Sequence, residues 1–255
     1  MSDDDGNLQQ PGDYKLPNII IVSDTGNAVE MREMVIEINI YESIYSNAVT
    51  GTLAILDTQN LIQNIPIQGT ERLMFKLSTS GTKGAGNLCV DATETTGHPF
   101  HIYKLSDRKE LKEGVESYIL HFCSREMFRN MQHKVSKAYD GALSTSAVQI
   151  YTDTERLDGR KQFKFEPTKN ADKVVMPNVR PFDAINMLSN RALSKNGNSA
   201  GYLFYETHQG YFLRSFESMM AMGGAIARPE KWHYKYQVAN VRPQNQDVRP
   251  VRFDM

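Results

Sequence analysis

The sequence predicts a mainly β chain with short helices, changing character near Ser124, and three observations carry that prediction. Between Glu33 and Ser78 three runs alternate with a period of two, as strands of a sheet with one dry face do. From Val115 to Cys123, VESYILHFC is apolar on both parities, which marks a central strand. After Ser124 the apolar spacing lengthens to three or four residues, so an all-β part gives way to an α+β part.

Taken in order, residues 1–14 combine Asp, Gly, Gln and Pro with few large apolar side chains and predict an N-terminal arm. Ile19 to Val22 is a β-branched run expected in a strand covered on both faces, with a turn over Asp24 to Asn27. In the next strand Met34, Ile36, Ile38 and Ile40 form the dry face, and Glu33, Glu37, Asn39 and Tyr41 the other. The polar run from Glu42 to Ala48 suits a hairpin rather than a crossover, so the following strand should pair antiparallel. There Val49, Leu53 and Ile55 alternate with Thr50 and Thr52. Leu61, Ile62 and Ile65 make one turn of helix that Pro66 ends, because proline has no N–H to continue it. Leu73, Phe75 and Leu77 mark a third strand.

Gly81 to Asn87 reads as a flexible loop, followed by strands at Leu88 to Thr93 and Phe100 to Leu105 and a solvated connection over Asp107 to Glu110. Beyond the boundary, Met127, Phe128, Met131 and Val135 predict an amphipathic helix with Arg129 and Lys134 outward. A second helix covers Thr145 to Thr154 with Ala147, Ile150 and Tyr151 inward, and Gln162 to Glu166 is a strand. PFDAINMLSNRALSK begins with proline in its first turn and is stopped by Asn196 and Gly197, with Phe182, Ile185, Leu188 and Ala192 on its stripe. Tyr202 to Glu206 and Tyr211 to Ser215 form a hairpin with a four-residue turn, and Phe216 to Met222 tucks methionines beneath it. Trp232 to Val238 is a late strand, and residues 241–255, twice interrupted by proline, form a C-terminal arm.

Composition narrows the function classes. In 255 residues, 29 basic and 30 acidic side chains nearly cancel, so no long-range field draws in nucleic acid or an anionic membrane. No apolar run approaches the roughly 20 residues that span a bilayer. The start, MSDDDGNLQQPGD, is acidic where a signal peptide is basic, so a chain made in the cytoplasm is expected. Cys89 and Cys123 have no CxxC or metal-ligand spacing and are expected as reduced thiols.

Candidate chemistry is sparse. His98 and His101 fall on opposite faces of a strand and share no metal without a bulge. His121 is expected as a buried, hydrogen-bonded imidazole. His133, His208 and His233 lie on a helix, a turn and a polar strand face, none in a ligand or catalytic motif. The Gly81 to Asn87 loop lacks GxxxxGK[ST] and GxGxxG and precedes a strand, so it is no phosphate cradle. Glu116, Glu206 and Glu217 are the carboxylates that a cleft would need, with solvated strand surfaces as the expectation for such residues. In KWHYKYQ the aromatics and lysines alternate and face apart, unlike a stacking groove. The readings of another class are therefore a cell-wall-degrading enzyme and a nucleic-acid-binding β protein.

Three stretches together resemble the central hub proteins of contractile-tailed bacteriophage baseplates: IYESIYSNAVTGTLAILDTQNLIQNIPIQGTERLMFKL, the PFDAINMLSNRAL helix and the YLFYETHQGYFLRSFESMM hairpin. Asp57 and Asn60 stand where that family carries an Asp-x-x-Asn turn, and Gly69, Glu71, Leu73 and Phe75 where it carries G-x-E-x-L-x-F. The resemblance covers most of residues 15–240. It implies two barrel-like antiparallel β domains, 15–124 and 125–240, and a homotrimer forming a pseudo-sixfold ring. It further implies a central spike protein below, a tail tube or tube-initiator protein above, surrounding baseplate wedge proteins, and DNA only as cargo passing through the lumen. A virion tail location follows, with no active site, no cofactor and no membrane. A related contractile injection system, such as a type VI secretion spike, is the alternative setting. Longer hubs carry further C-terminal structure, so the grip on the spike is expected to differ here. Sheet rims completed by neighbouring copies make Glu37, Asn39, Tyr41, Thr50 and Thr52 the candidate subunit interface.

Overall fold

The computed structural model describes residues 14–64, 67–79, 89–96, 98–195 and 200–221. The expected segments at 1–13, Ile65, Pro66, Gly81 to Asn87, Asn196, Gly197, Met222, Trp232 to Val238 and 241–255 lie outside them.

The first part is one antiparallel sheet. Its strands are β1 (Tyr14–Lys15), β2 (Ile19–Val22), β3 (Ala28–Glu30), β4 (Val35–Tyr41), β5 (Thr50–Asp57), β6 (Arg72–Thr79), β7 (Cys89–Asp91), β8 (Phe100–Lys112) and β9 (Val115–Ser124). They run in the order β3-β2-β6-β8-β9-β5-β4, with β1 and β7 also on β6. That path is open, with β3 and β4 at its ends, so the expected barrel is not closed among the described residues. Between β5 and β6, α1 (Leu61–Asn64) places Leu61 in the core. The dry side holds Leu53, Ile55, Leu73, Phe75, Ile102, Leu120 and Phe122, of which the first four come from strands whose alternation is visible in the sequence. Gly51 sits on that side because Phe122 occupies the space: a Cβ there would overlap the Phe122 ring and the Asn39 carbonyl oxygen.

The hub-like motif residues hold backbone. Asp57 accepts the Gln59 and Leu61 N–H groups at 2.9 and 2.7 Å and the Tyr118 hydroxyl at 3.2 Å. Glu71 accepts the N–H groups of Gln68 and Gly69 at 2.7 and 2.9 Å. Asn60 and Gly69 have φ of 52° and 94°, the left-handed region that asparagine and glycine tolerate best.

Two expectations fail in this part. Ile36 is 66 % exposed rather than part of a dry face, because a bulge between Val35 and Glu37 moves the inward parity from Val35 to Ile38 and Ile40. Asp107 to Glu110 is not a connection, since β8 runs on to Lys112 with three register shifts against β9.

The second part contains α2 (Arg125–Gln132), β10 (Ala138–Ala142), α3 (Leu143–Thr152), β11 (Phe163–Phe165), β12 (Ala171–Val175), α4 (Pro181–Ser189), β13 (Tyr202–Thr207), β14 (Gly210–Ser215) and α5 (Phe216–Ala221). β10 and β12 pair antiparallel, and a second small sheet runs β11-β14-β13. Its β11–β14 pair is parallel, the one departure from antiparallel pairing among the described strands. Phe182, Phe204, Tyr211, Tyr151 and Phe163 stack through the second core. The inward stripe of α3 is as the spacing predicts; α4 buries Phe182, Ile185 and Leu188 as expected but ends at Ser189, short of the expected stop at Asn196, and Ala192 is buried beyond it.

The stripe of α2 is not as predicted. Its buried residues are Glu126 and Asn130, while Met131 is exposed. Polar work explains this: Asn130 Oδ1 accepts the Phe182 N–H at 2.8 Å, supplying the orphan donor at the start of α4, and Glu126 accepts from Arg160 N at 3.1 Å. Arg129, expected outward, donates to the carbonyls of Arg156, Leu157 and Thr154. The β13–β14 turn is tighter than expected, with Thr207 and Gly210 already paired. On α5, Met220 is exposed rather than tucked away.

Candidate interaction rim

The five candidate residues come together on one face of β4 and β5. Asn39 lies opposite Thr52 and Tyr41 opposite Thr50. Asn39 Nδ2 donates to Glu37 Oε1 at 2.9 Å and to Thr52 Oγ1 at 3.4 Å, and the Tyr41 hydroxyl lies 3.5 Å from Thr52 Oγ1. Glu37 and Tyr41 are exposed, the other three half-buried. Because Ile38 and Ile40 turn to the core, these side chains are held on the opposite face.

The β4 rim differs from the other free edges. β3 offers three residues only. β8 beyond His101 has no strand on its outer side among the described residues, yet three register shifts and six charged side chains from Lys104 to Lys112 guard it. From Glu37 to Tyr41, β4 keeps regular register and carries neither lysine nor proline.

The loop that follows β4 is bolted to the second core. Glu42 accepts the His208 N–H at 2.8 Å, Asn47 donates to the Phe204 carbonyl at 2.7 Å, and Asn186 donates to Asn47 Oδ1 at 2.9 Å. The Val49 N–H donates to Glu206 Oε2 at 2.7 Å. Glu206, expected on a solvated surface, is 0 % exposed and pairs with Lys161 Nζ at 2.5 Å. The Tyr211 hydroxyl donates to it at 3.0 Å. Burial pushes the Glu206 carboxyl above its ordinary range, and Lys161 pulls against that shift. Burial, with the Glu206 charge second, also pushes the Cys123 thiol up to about 12. Both cysteines are free. One signal for Glu206 was present: it continues the parity of Tyr202 and Phe204, the inward side of β13. Nothing in the local pattern pointed to Lys161.

The three glutamates occupy separate settings. Glu116 is held by a two-bond ion pair to Arg108, at 2.8 and 2.9 Å, Glu206 is buried, and Glu217 is exposed on α5. His101 stacks on Phe128 with ring centroids 4.9 Å apart, and His98 precedes the strand. His121 is half-buried, 2.8 Å from Ser106 Oγ. His133 caps α2, His208 sits on the β13–β14 turn, and His233 lies outside the described residues. Beside the bolted loop, Glu42, Asp91, His98, Lys161 and His208 line a small cleft. Among the described residues no group of three or more His, Cys, Asp or Glu is arranged to hold a metal ion. No described helix is long and apolar enough to cross a membrane.

No family model matches this sequence, and no curated protein matches it. Its neighbours among solved structures are phage tail proteins and proteins of secretion complexes. It is similar to the prophage tail protein gp18 of Listeria monocytogenes EGD-e, at 12 % identity and a TM-score of 0.48, covering 87 % of this chain and 56 % of that one. It is similar to the 43 kDa tail protein of prophage MuSo2 from Shewanella oneidensis, at 8 % identity and a TM-score of 0.47, covering 77 % and 54 %. An Escherichia coli component of the type VI secretion system, itself described as similar to the bacteriophage T4 tail proteins gp27 and gp5, aligns at 11 % identity and a TM-score of 0.38, covering 81 % and 46 %. The chain spans about half the length of the tail proteins it matches.

Proposed function

We propose that this chain is an architectural protein of a contractile tail, the baseplate hub. Three copies form a pseudo-sixfold ring from two barrel-like units each, 15–124 and 125–240, and join a threefold spike to the sixfold tail tube. The role is structural and not catalytic, and its place is the virion tail or the equivalent part of a related injection machine. The observation that carries the reading is the β4 rim: a strand ending an open sheet, regular from Glu37 to Tyr41 and without lysine or proline, with Glu37, Asn39, Tyr41, Thr50 and Thr52 gathered beside it. Such an edge is a template for another strand, and a larger ring is a stable way to fill it. The hub-like motif supports the same reading, because Asp57 and Glu71 accept backbone N–H groups of the turns after β5 and before β6, where Asn60 and Gly69 take the left-handed conformation. Sedimentation equilibrium of the purified chain at micromolar concentration should give the mass of three chains. A single-chain mass over the whole range would overturn the proposal.

A further inference from the structure

We infer that the β4 rim of one copy is completed by β12 of a second copy, an inference that rests on the ring-forming reading above. Two observations select that occupant. The first is charge. Around β4 stand Glu33, Glu37 and Glu42, and no Lys or Arg occurs between Arg32 and Arg72. The small sheet of β10 and β12 is the opposite: Lys134, Lys137, Lys169, Lys173 and Arg191 lie on or beside it, against Asp140 and Asp172. Complementary potentials of this kind set partner and register.

The second is the state of β12 itself. Its outer side has no strand among the described residues, and four of its five residues are exposed. Val175 is 67 % exposed, an apolar side chain at the end of β12. The Lys173 N–H donates to Asp172 Oδ1 at 2.8 Å. Five residues of β12 also match the regular stretch from Glu37 to Tyr41 in length. The contact joins unlike surfaces, so each copy offers one rim and receives one, and three copies close a circle.

Charge reversal tests the pairing. Glu37→Lys and Lys173→Glu are both surface changes, and circular dichroism and a thermal melt establish that each variant folds. Each alone should raise the trimer dissociation constant at least about tenfold: with the five residues aligned, Lys173 lies opposite Asn39 and diagonal to Glu37 on the same face, within reach of its charge. The double variant should recover most of the wild-type affinity. If the wild type is a trimer and neither reversal weakens it, or the double variant is as weak as the sum of the two, the β4–β12 pairing is wrong and another strand fills the rim. If the wild type is itself a monomer, the ring reading fails first.

Discussion

His101 shows how one side chain couples this fold to pH. Burial, with Arg125 and Arg72 adding to it, lowers its pKa from 6.5 to about 4, and its Nδ1 has no hydrogen-bond partner in the structure. The nearby Glu126 opposes that shift. The folded chain therefore keeps the imidazole neutral where the unfolded chain protonates it. The stability this contributes is present above pH 6.5 and is lost as pH falls toward 4, by up to about 3 kcal/mol. Urea denaturation at pH 7 and pH 4.5 should show a smaller acid loss in His101→Phe, which keeps the stack on Phe128. An identical loss in both proteins would contradict this account. Glu206 and Lys161 act differently: each would be costly to bury alone, and together they tie the β4–β5 loop to β13.

At the scale of elements, strands were legible where one face is dry and opaque where the chain departs from regularity. β5 and β6 follow their alternation, since burial of one face fixes register, and β9, apolar on both parities, lies inside the sheet between β8 and β5. The bulge that exposes Ile36 adds one residue without any proline or glycine to announce it. β3, β10 and β12 are short and half-polar, so no period stands out in them. In α2 the apolar spacing was real but the inward positions belong to Glu126 and Asn130, because the helix serves the backbone of its neighbours. Of the rim, the five side chains were legible from parity alone, whereas the bolt behind it joins residues up to 157 positions apart. Gly51 makes the packing argument testable. Gly51→Ala should cost about 2 kcal/mol, the overpacking penalty less the backbone entropy that alanine recovers. A thermal melt unchanged from wild type would show that Phe122 has room to move.

Among the described residues two hydrophobic cores meet around the β4–β5 loop and where β8 packs on α2. Ala48 belongs to the second core and Val49, the next residue, to the first. The Glu42 to Val49 segment therefore ties the end of β4 to β13 and its turn. Images of the purified oligomer, averaged without imposed symmetry, test the central claim most directly. The account predicts a threefold ring with six similar lobes around an open centre. Compact single particles without a central hole would contradict it.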